Sequence, residues 1–312
     1  MKTLVTGGAG FIGSHLCERL VDLRHEVTAL DNLSITSQNL PALKEKGLKV
    51  TIADITDFDK MLSETKGFDR VFHLAAMNRA VKSINDPMKA NLVNITGTLN
   101  VLEACRRNGV KKVIYSSSSS IYGFSKEFPR LETQLPMPSH PYAVGKLAGE
   151  HYMNVYNSLY GIKTVNLRYF SVYGPRQLGT IEYAAVIPKF IDRIMKGEDL
   201  EIYGDGSSTR NFTYVGDVVD ATIKAAEAGK AVGETINISC IEEISVMSLI
   251  RLIEKLTGKK AKIRHAPEIK GEILANPADI SKAKKILNFE AKTSMEQGIK
   301  KAIEWRRVNY GK

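Results

Sequence analysis

Tyr142 and Lys146, in the stretch "PYAVGK", stand four residues apart, so a helix carries them on one face. A phenol with an ordinary pKa of about 10 is a poor base at neutral pH, but a neighbouring ammonium favours phenolate and makes it a usable general base. Taken alone, the spacing equally describes a pair on a solvated helix surface. Upstream, "YSSSSSIYG" carries five consecutive serines, Ser116 to Ser120, from an apolar stretch into a Tyr-Gly pair. Such a run can be a flexible linker, a set of hydroxyls satisfying backbone groups, or a proton relay. Its position after a buried strand argues against the linker.

A second chemical pattern lies at the N-terminus, where "VTGGAGFIGSHL" satisfies G-x-G-x-x-G through Gly8, Gly10 and Gly13, and G-x-x-G-x-x-G through Gly7, Gly10 and Gly13. Glycines there permit a tight turn and let the backbone approach a pyrophosphate, whose charge the following helix N-terminus favours. The loop follows a strand, opens a helix, and is answered by Asp31 at the end of the next strand. A carboxylate at that position accepts hydrogen bonds from ribose hydroxyls and repels a 2′-phosphate. No arginine stands beside it in "LDNLS", so NAD is expected in preference to NADP.

These residues need a frame. Strand-like runs occur at 2–6, 26–31, 48–54, 70–76, 111–116 and 163–169, and residues 11–23 read as a helix with Ile12, Leu16, Leu20 and Leu23 on its apolar face. Alternation of this kind predicts an α/β fold built on a doubly wound parallel sheet.

Composition sets the outer limits. The 312 residues, 43% hydrophobic and 25% charged, describe a globular chain with substantial cores. Three cysteines, Cys17, Cys105 and Cys240, lack C-x-x-C spacing, so neither a disulfide framework nor a thiolate metal site is expected, and a cytoplasmic setting fits. Glycines interrupt the apolar N-terminal stretch, and no run approaches the ~20 apolar residues of a membrane span, so neither export nor a membrane association is expected. The net charge of +10 is spread along the chain, as in "LTGKKAKIRH" and "SKAKKIL". That distribution predicts a solvated basic surface suited to a small anionic substrate, with no nucleic-acid partner.

Further stretches tie the chain to a known family. "TGGAGFIG", "LDNLS", "HLAA", "NITGTLNVLEA", "SSSSSIYG", "PYAVGK", "LRYFSVYGPRQ", "IYGDGSSTRNFTYVGDV" and "ADISKAKKIL", in this order between residue 3 and about 288, resemble the extended short-chain dehydrogenases/reductases, specifically the NAD-dependent nucleotide-sugar epimerases and dehydratases. The resemblance implies a Rossmann domain over 1–168. A smaller α/β domain over 169–312 would mainly bind the nucleotide sugar, with part of 212–240 returning to the first. Gly7, Gly10, Phe11, Ile12 and Gly13 would hold the pyrophosphate, Asp31 and Asn32 the adenosine ribose, and Asp54 and Ile55 the adenine. Leu74, Ala75, Ala76, Asn91, Tyr142, Lys146 and Tyr169 would complete the cofactor site. Ser118 would be the catalytic hydroxyl beside Tyr142 and Lys146. Arg79, Ser119, Ser171, Val186, Tyr203, Arg210, Glu272 and Asn276 would face the substrate, and a homodimer is expected.

Within this family the resemblance implies a 4-epimerase of UDP-hexoses, UDP-glucose and UDP-galactose, with the N-acetylhexosamines as further candidates. Tyr142 would remove the proton of the sugar 4-hydroxyl, Ser118 would relay it, and a transient 4-ketose would form. Dehydratases and uronate decarboxylases commonly carry an acid directly after the catalytic hydroxyl, whereas Ser119 and Ser120 stand here. Asn276 occupies the position where a bulky tyrosine restricts 4-epimerases to unmodified hexoses. Ser171, a small hydroxyl residue as in some uronic-acid epimerases, and Arg79, near the sugar, leave a UDP-glucuronate 4-epimerase as the alternative, whereas Leu178 stands where uronate specialists carry arginine and Ile269 replaces an arginine expected at the phosphate. A non-catalytic NAD-binding regulator is the reading from another class, but it would be expected to lose Tyr142 or Lys146.

Overall fold

A computed structural model describes residues 1–78, 80–179, 185–267 and 277–310. Seven parallel strands form the central sheet: β1 (Lys2–Thr6), β2 (Glu26–Asp31), β3 (Lys49–Ile52), β4 (Arg70–His73), β5 (Lys112–Ser118), β6 (Lys163–Tyr169) and β11 (Thr235–Ile238). Their spatial order is β11-β6-β5-β4-β1-β2-β3. Chain direction therefore reverses its march across the sheet next to β1, and the C-terminal strand ends on either side of that point frame a crevice. The doubly wound parallel α/β sheet expected from the alternating pattern is the observed fold.

Helices cover both faces because the strands are apolar on both. One face buries Val5, Ala29, Phe72, Ile114 and Leu167 beneath α1 (Phe11–Asp22), α9 (Val215–Glu227) and α11 (Ser281–Leu287). The other buries Leu4, Val71, Val113 and Tyr115 beneath α3 (Phe58–Glu64), α6 (Gly97–Arg107) and α7 (Pro141–Tyr160). Short helices α2 (Leu40–Glu45), α4 (Ala80–Asn85) and α5 (Pro87–Asn91) lie in the connections. Ala283, Leu287 and Phe289 join the core under the sheet, so α11 as well as β11 is built into this layer.

A smaller core gathers Ile187, Phe190, Ile191, Leu200, Leu249, Ile253, Ile299 and Ile303. They come from α8 (Val186–Lys196), β8 (Asp199–Tyr203), α10 (Val246–Thr257) and α12 (Met295–Tyr310). Three strand pairs accompany it: β7 (Val172–Tyr173) with β10 (Thr213–Tyr214), β9 (Thr209–Arg210) with β12 (Ile244–Ser245), and β8 with β13 (Lys262–Ala266). Among the described residues no helix is long and apolar enough to cross a membrane. All three cysteines are buried free thiols, and no cluster of potential metal ligands occurs among the described residues.

Candidate active site

The glycine turn comes first because it decides what fits above it. Gly7 has φ of +70°, and a Cβ there would sit 2.8 Å from the Ala75 nitrogen, so any side chain would be both strained and blocked. A Cβ on Gly13 would lie 2.8 Å from the Gly7 carbonyl carbon and overlap its oxygen. The turn is consequently bare backbone, and α1 starts at Phe11 with Gly10 as an N-cap that supplies no side-chain hydrogen bond. Asp31 closes the turn from β2, its Oδ2 accepting the Ala9 N–H at 3.0 Å and its Oδ1 the Leu33 N–H at 2.8 Å. Burial raises the pKa of this carboxyl, opposed by the backbone donors.

Around the turn opens a cavity of about 510 Å³, in the range of ligand clefts. Gly7, Gly10, Phe11, Ile12, Gly13, Asp31, Asn32, Asp54, Ile55, Leu74, Ala75 and Ala76 all line it. At the β2 end, Asn32 Nδ2 donates to Asp54 Oδ2 at 2.7 Å. Burial pushes the Asp54 carboxyl up, but donors from Thr56 and Asn32 and the charge of Lys89 outweigh it, leaving a net lowering. A side-chain-free turn, a carboxylate placed at the second strand end and an apolar strip at Leu74–Ala76 are what a dinucleotide requires, so the residues present fit NAD.

Of the expected cofactor residues, Asn91, Tyr142, Lys146 and Tyr169 do not line this cavity. Asn91 is exposed and lines a separate surface hollow with Pro87, Ile95 and Pro138. A π-helical stretch, Leu92–Thr96, follows it between α5 and α6. Its extra residue per turn shifts the register and turns Asn94 inward, where it accepts the Met77 N–H at 2.8 Å and donates to the Met77 carbonyl at 3.1 Å. Tyr169 is 6% exposed in the core, its hydroxyl 2.7 Å from Thr222 Oγ1 of α9. Side chains alternate along a strand; Arg168 faces Glu150 of α7, so Tyr169 faces the opposite layer and does not line the cavity.

The serine run divides between two structures. Ser116–Ser118 end β5, and Ser119–Tyr122 form a 3-10 turn that begins with Ser118 Oγ accepting the Ser120 N–H at 3.1 Å. Ser116 lines the cavity, and its carbonyl accepts a hydrogen bond from Lys146 Nζ at 2.7 Å. Helix α7 opens with Pro141, whose fixed φ suits a first turn, and with His140 as N-cap, its Nδ1 accepting the Ala143 N–H at 3.2 Å. Ser83 of α4 accepts the Tyr142 N–H at 3.0 Å, satisfying a donor that the helix itself leaves orphaned.

Tyr142 and Lys146 then share a face, with Nζ 5.9 Å from the Tyr142 ring centroid and 4.8 Å from that of Tyr115. Lys146 is 2% exposed, and burial depresses its pKa to about 7, the charge of Glu150 acting the other way. An amine poised there can be ammonium or amine near neutrality, so a phenol and a base-tuning cation are available together.

The expected substrate residues are dispersed. Ser171 is exposed with φ of +35°, a strained conformation for a non-glycine residue, and its carbonyl accepts the Thr213 N–H at 3.2 Å. Val186 opens α8. Tyr203, half exposed, points its hydroxyl to Glu201 at 3.3 Å, and Arg210 Nη1 donates to the Thr209 carbonyl at 2.8 Å. Ser118, Ser119, Tyr142, Ser171, Val186, Tyr203 and Arg210 do not line the cavity that gathers the cofactor set. Arg79, Glu272 and Asn276 lie outside the described residues.

Several further residues line the cavity, none of them assigned to the cofactor from the sequence. Met77, Asn78, Lys82, Arg176, Gln177 and Leu178 line its wall. The 176–178 segment is clamped between Glu18 of α1, which pairs with Arg176 at 2.7 Å, and Arg306 of α12, which donates to the Gln177 carbonyl at 2.5 Å. Only the "GPRQ" string hinted at it.

Comparison with known proteins agrees with this geometry. The model of the NAD dependent epimerase/dehydratase family matches residues 3–239. The fold superposes with a TM-score of 0.93 on UDP-glucose 4-epimerase of Thermotoga maritima, solved with UDP-glucose, at 37% identity over 99% of this chain and 100% of that one. It superposes equally well, TM-score 0.93, on the UDP-N-acetylglucosamine 4-epimerase of Methanobrevibacter ruminantium, solved with UDP-N-acetylmuramic acid, at 36% identity over 98% of each chain. A UDP-N-acetyl-alpha-D-glucosaminuronate decarboxylase of Bacillus cytotoxicus is 38% identical over 98% of both chains. With its bare glycine turn, its Asp31 and its paired Tyr142 and Lys146, the chain belongs to the NAD dependent epimerase/dehydratase family, and is an NAD-dependent enzyme of the nucleotide-sugar epimerase type within the extended short-chain dehydrogenases/reductases.

Proposed function

We propose that the protein inverts C4 of a UDP-hexose, interconverting UDP-glucose and UDP-galactose and also their N-acetylated forms. The observation that carries this reading is the placement of Tyr142 and Lys146 on one face of α7, with Lys146 hydrogen-bonded to the carbonyl of Ser116 at the end of the serine strand. Bound NAD supplies a hydride acceptor and donor. The chain supplies the proton chemistry: Tyr142 takes the proton from the 4-hydroxyl, the Lys146 charge favours the phenolate that does so, and Ser118 holds the 4-oxygen by hydrogen bonding. Return of the proton from Tyr142 completes the cycle, with the transient 4-ketose presenting its other face.

Ser119 and Ser120 follow the proposed catalytic hydroxyl, and neither carries an acid for elimination of water. That favours epimerisation over dehydration. Ser171, Val186, Tyr203 and Arg210 are assigned to the sugar nucleotide, together with Arg79, Glu272 and Asn276. Asparagine at position 276 is smaller than the tyrosine of hexose-restricted 4-epimerases, which supports the broader substrate range.

A uronate-type substrate is the second reading, favoured by the decarboxylase of Bacillus cytotoxicus and by Ser171 where asparagine is usual. We further assign a cytoplasmic setting and a homodimer, the latter supported by exposed Met88, Leu92, Val155 and Leu159 near α5 and along α7. Incubation with UDP-glucose, UDP-N-acetylglucosamine and UDP-glucuronate, with products identified by NMR, decides among the substrates. Inversion of the first two sustains the proposal; turnover of the uronate alone replaces it with the second reading.

A further inference from the structure

Behind the serine strand lies a buried polar network that the proton chemistry above does not use. Glu150, one helical turn beyond Lys146 on α7, is 3% exposed, and Arg168 on β6 is 4% exposed. Arg168 grips the carboxylate with both arms, Nε to Oε1 at 2.9 Å and Nη2 to Oε2 at 2.7 Å. Ser117 donates its hydroxyl to the same Oε1. The remaining arm, Nη1, donates to the Tyr122 hydroxyl at 2.9 Å, which in turn donates to Asn237 Oδ1 at 2.7 Å. Ser117 and Arg168 are cross-strand partners in the β5–β6 register, so the clamp joins β5, β6 and α7 at one point.

The placement matters because of what flanks it. Ser117 stands between Ser116, whose carbonyl receives Lys146 Nζ, and Ser118, whose hydroxyl caps the 3-10 turn. Tyr122 is the last residue of that turn. The network therefore pins the serine segment at its middle and at its far end. Two buried charges of opposite sign are a costly way to hold a strand, since an apolar pair of similar volume often serves stability as well. Their retention in a fixed bidentate geometry beside the lysine points to a role in setting charge and position.

We propose that Glu150 and Arg168 are a positioning pair for the catalytic apparatus: Arg168 orients Glu150, Glu150 anchors the serine strand through Ser117, and the held carboxylate favours the ammonium form of Lys146. This rests on the reading of Lys146 and Ser118 given above. The groups facing the amine among the described residues are Tyr142 and Glu150 from its own helix, Tyr115 and the Ser116 carbonyl from β5, and His73 from β4, with Arg168 of β6 beyond Glu150. His73 is kept neutral by burial and then by the Lys146 charge, its pKa near 3. Glu150 is consequently the one negative group the amine meets there. For Arg168, burial works against the charge, but the hydrogen bonds and charge of Glu150 more than offset it and raise its pKa.

The test is a titration read without turnover. In the holoenzyme labelled with ¹³C-lysine, the Lys146 Cε signal, assigned by its loss in Lys146→Met, is followed against pH in wild type, Glu150→Gln and Arg168→Lys. Glu150→Gln should move the Lys146 midpoint to lower pH by about one unit, and should lower kcat by roughly tenfold to a hundredfold while KM holds, as expected of displaced reacting groups. Arg168→Lys keeps the charges but loses the fork, so kcat should fall with the midpoint in place. An unmoved midpoint in Glu150→Gln, or wild-type kcat in both variants, overturns the proposal. If Glu150→Gln does not fold, Glu150→Asp retains the charge at shorter reach, and wild-type kcat in that variant overturns it equally. Because the midpoint is measured independently of substrate, failure of the epimerase reading leaves it intact and separately visible.

Discussion

Replacing Lys146 by Met should change how stability depends on pH. The amine is 2% exposed and its pKa falls from 10.5 to about 7, chiefly because burial disfavours the ammonium. Between those two values the folded chain holds a neutral amine and the unfolded chain an ammonium, so unfolding takes up a proton. Stability contributed by this site is therefore smallest below pH 7 and grows as pH rises towards 10.5. One proton corresponds to a slope of about 1.4 kcal/mol per pH unit, fully developed between about pH 8 and 9. Lys146→Met has no such proton. Lys112, whose amine burial lowers to about 8, is present in both proteins and cancels in their difference. Urea unfolding at several pH values, with constant m values to verify two-state behaviour, should show wild type gaining on the variant by about that slope. A difference that stays flat between about pH 8 and 9, or that runs in the variant's favour, would refute the assignment of a depressed lysine.

Other consequences can be checked directly. Tyr142→Phe should fold, retain NAD and lose about 10² to 10⁴ in turnover, whereas Ser118→Ala should lose less; steady-state rates with NMR product analysis decide, and wild-type turnover in Tyr142→Phe contradicts the mechanism. Gly13→Ala places a Cβ against Gly7 backbone that has nowhere to move, so the purified variant should release little or no NAD when denatured, compared with a stoichiometric amount from wild type. Asn276→Tyr should suppress activity on N-acetylhexosamines while sparing unmodified hexoses, an overlap costing about 1 to 3 kcal/mol; equal losses on both substrates remove Asn276 from that role.

Much of the cofactor frame was legible in the residues themselves, for a local reason. Strand, glycine turn and helix are consecutive in the chain, and the turn tolerates no side chains, so Gly7, Gly10 and Gly13 announce both the geometry and the absence of Cβ atoms that a dinucleotide needs. Asp31 could be read because it ends the next strand of the same unit. The spacing of Tyr142 and Lys146 likewise depends only on helical periodicity. Three things required the folded chain. A π-helical turn after Asn91 buries Asn94 against the Met77 backbone and leaves Asn91 on the surface, an irregularity that the spacing of the sequence does not announce. Strand parity sent Tyr169 to the α9 layer once Arg168 was committed to Glu150. And the depressed pKa of Lys146, with the Glu150–Arg168 clamp beside it, arises from burial between β5 and α7, whose distance along the sequence hides a neighbourhood that only packing creates.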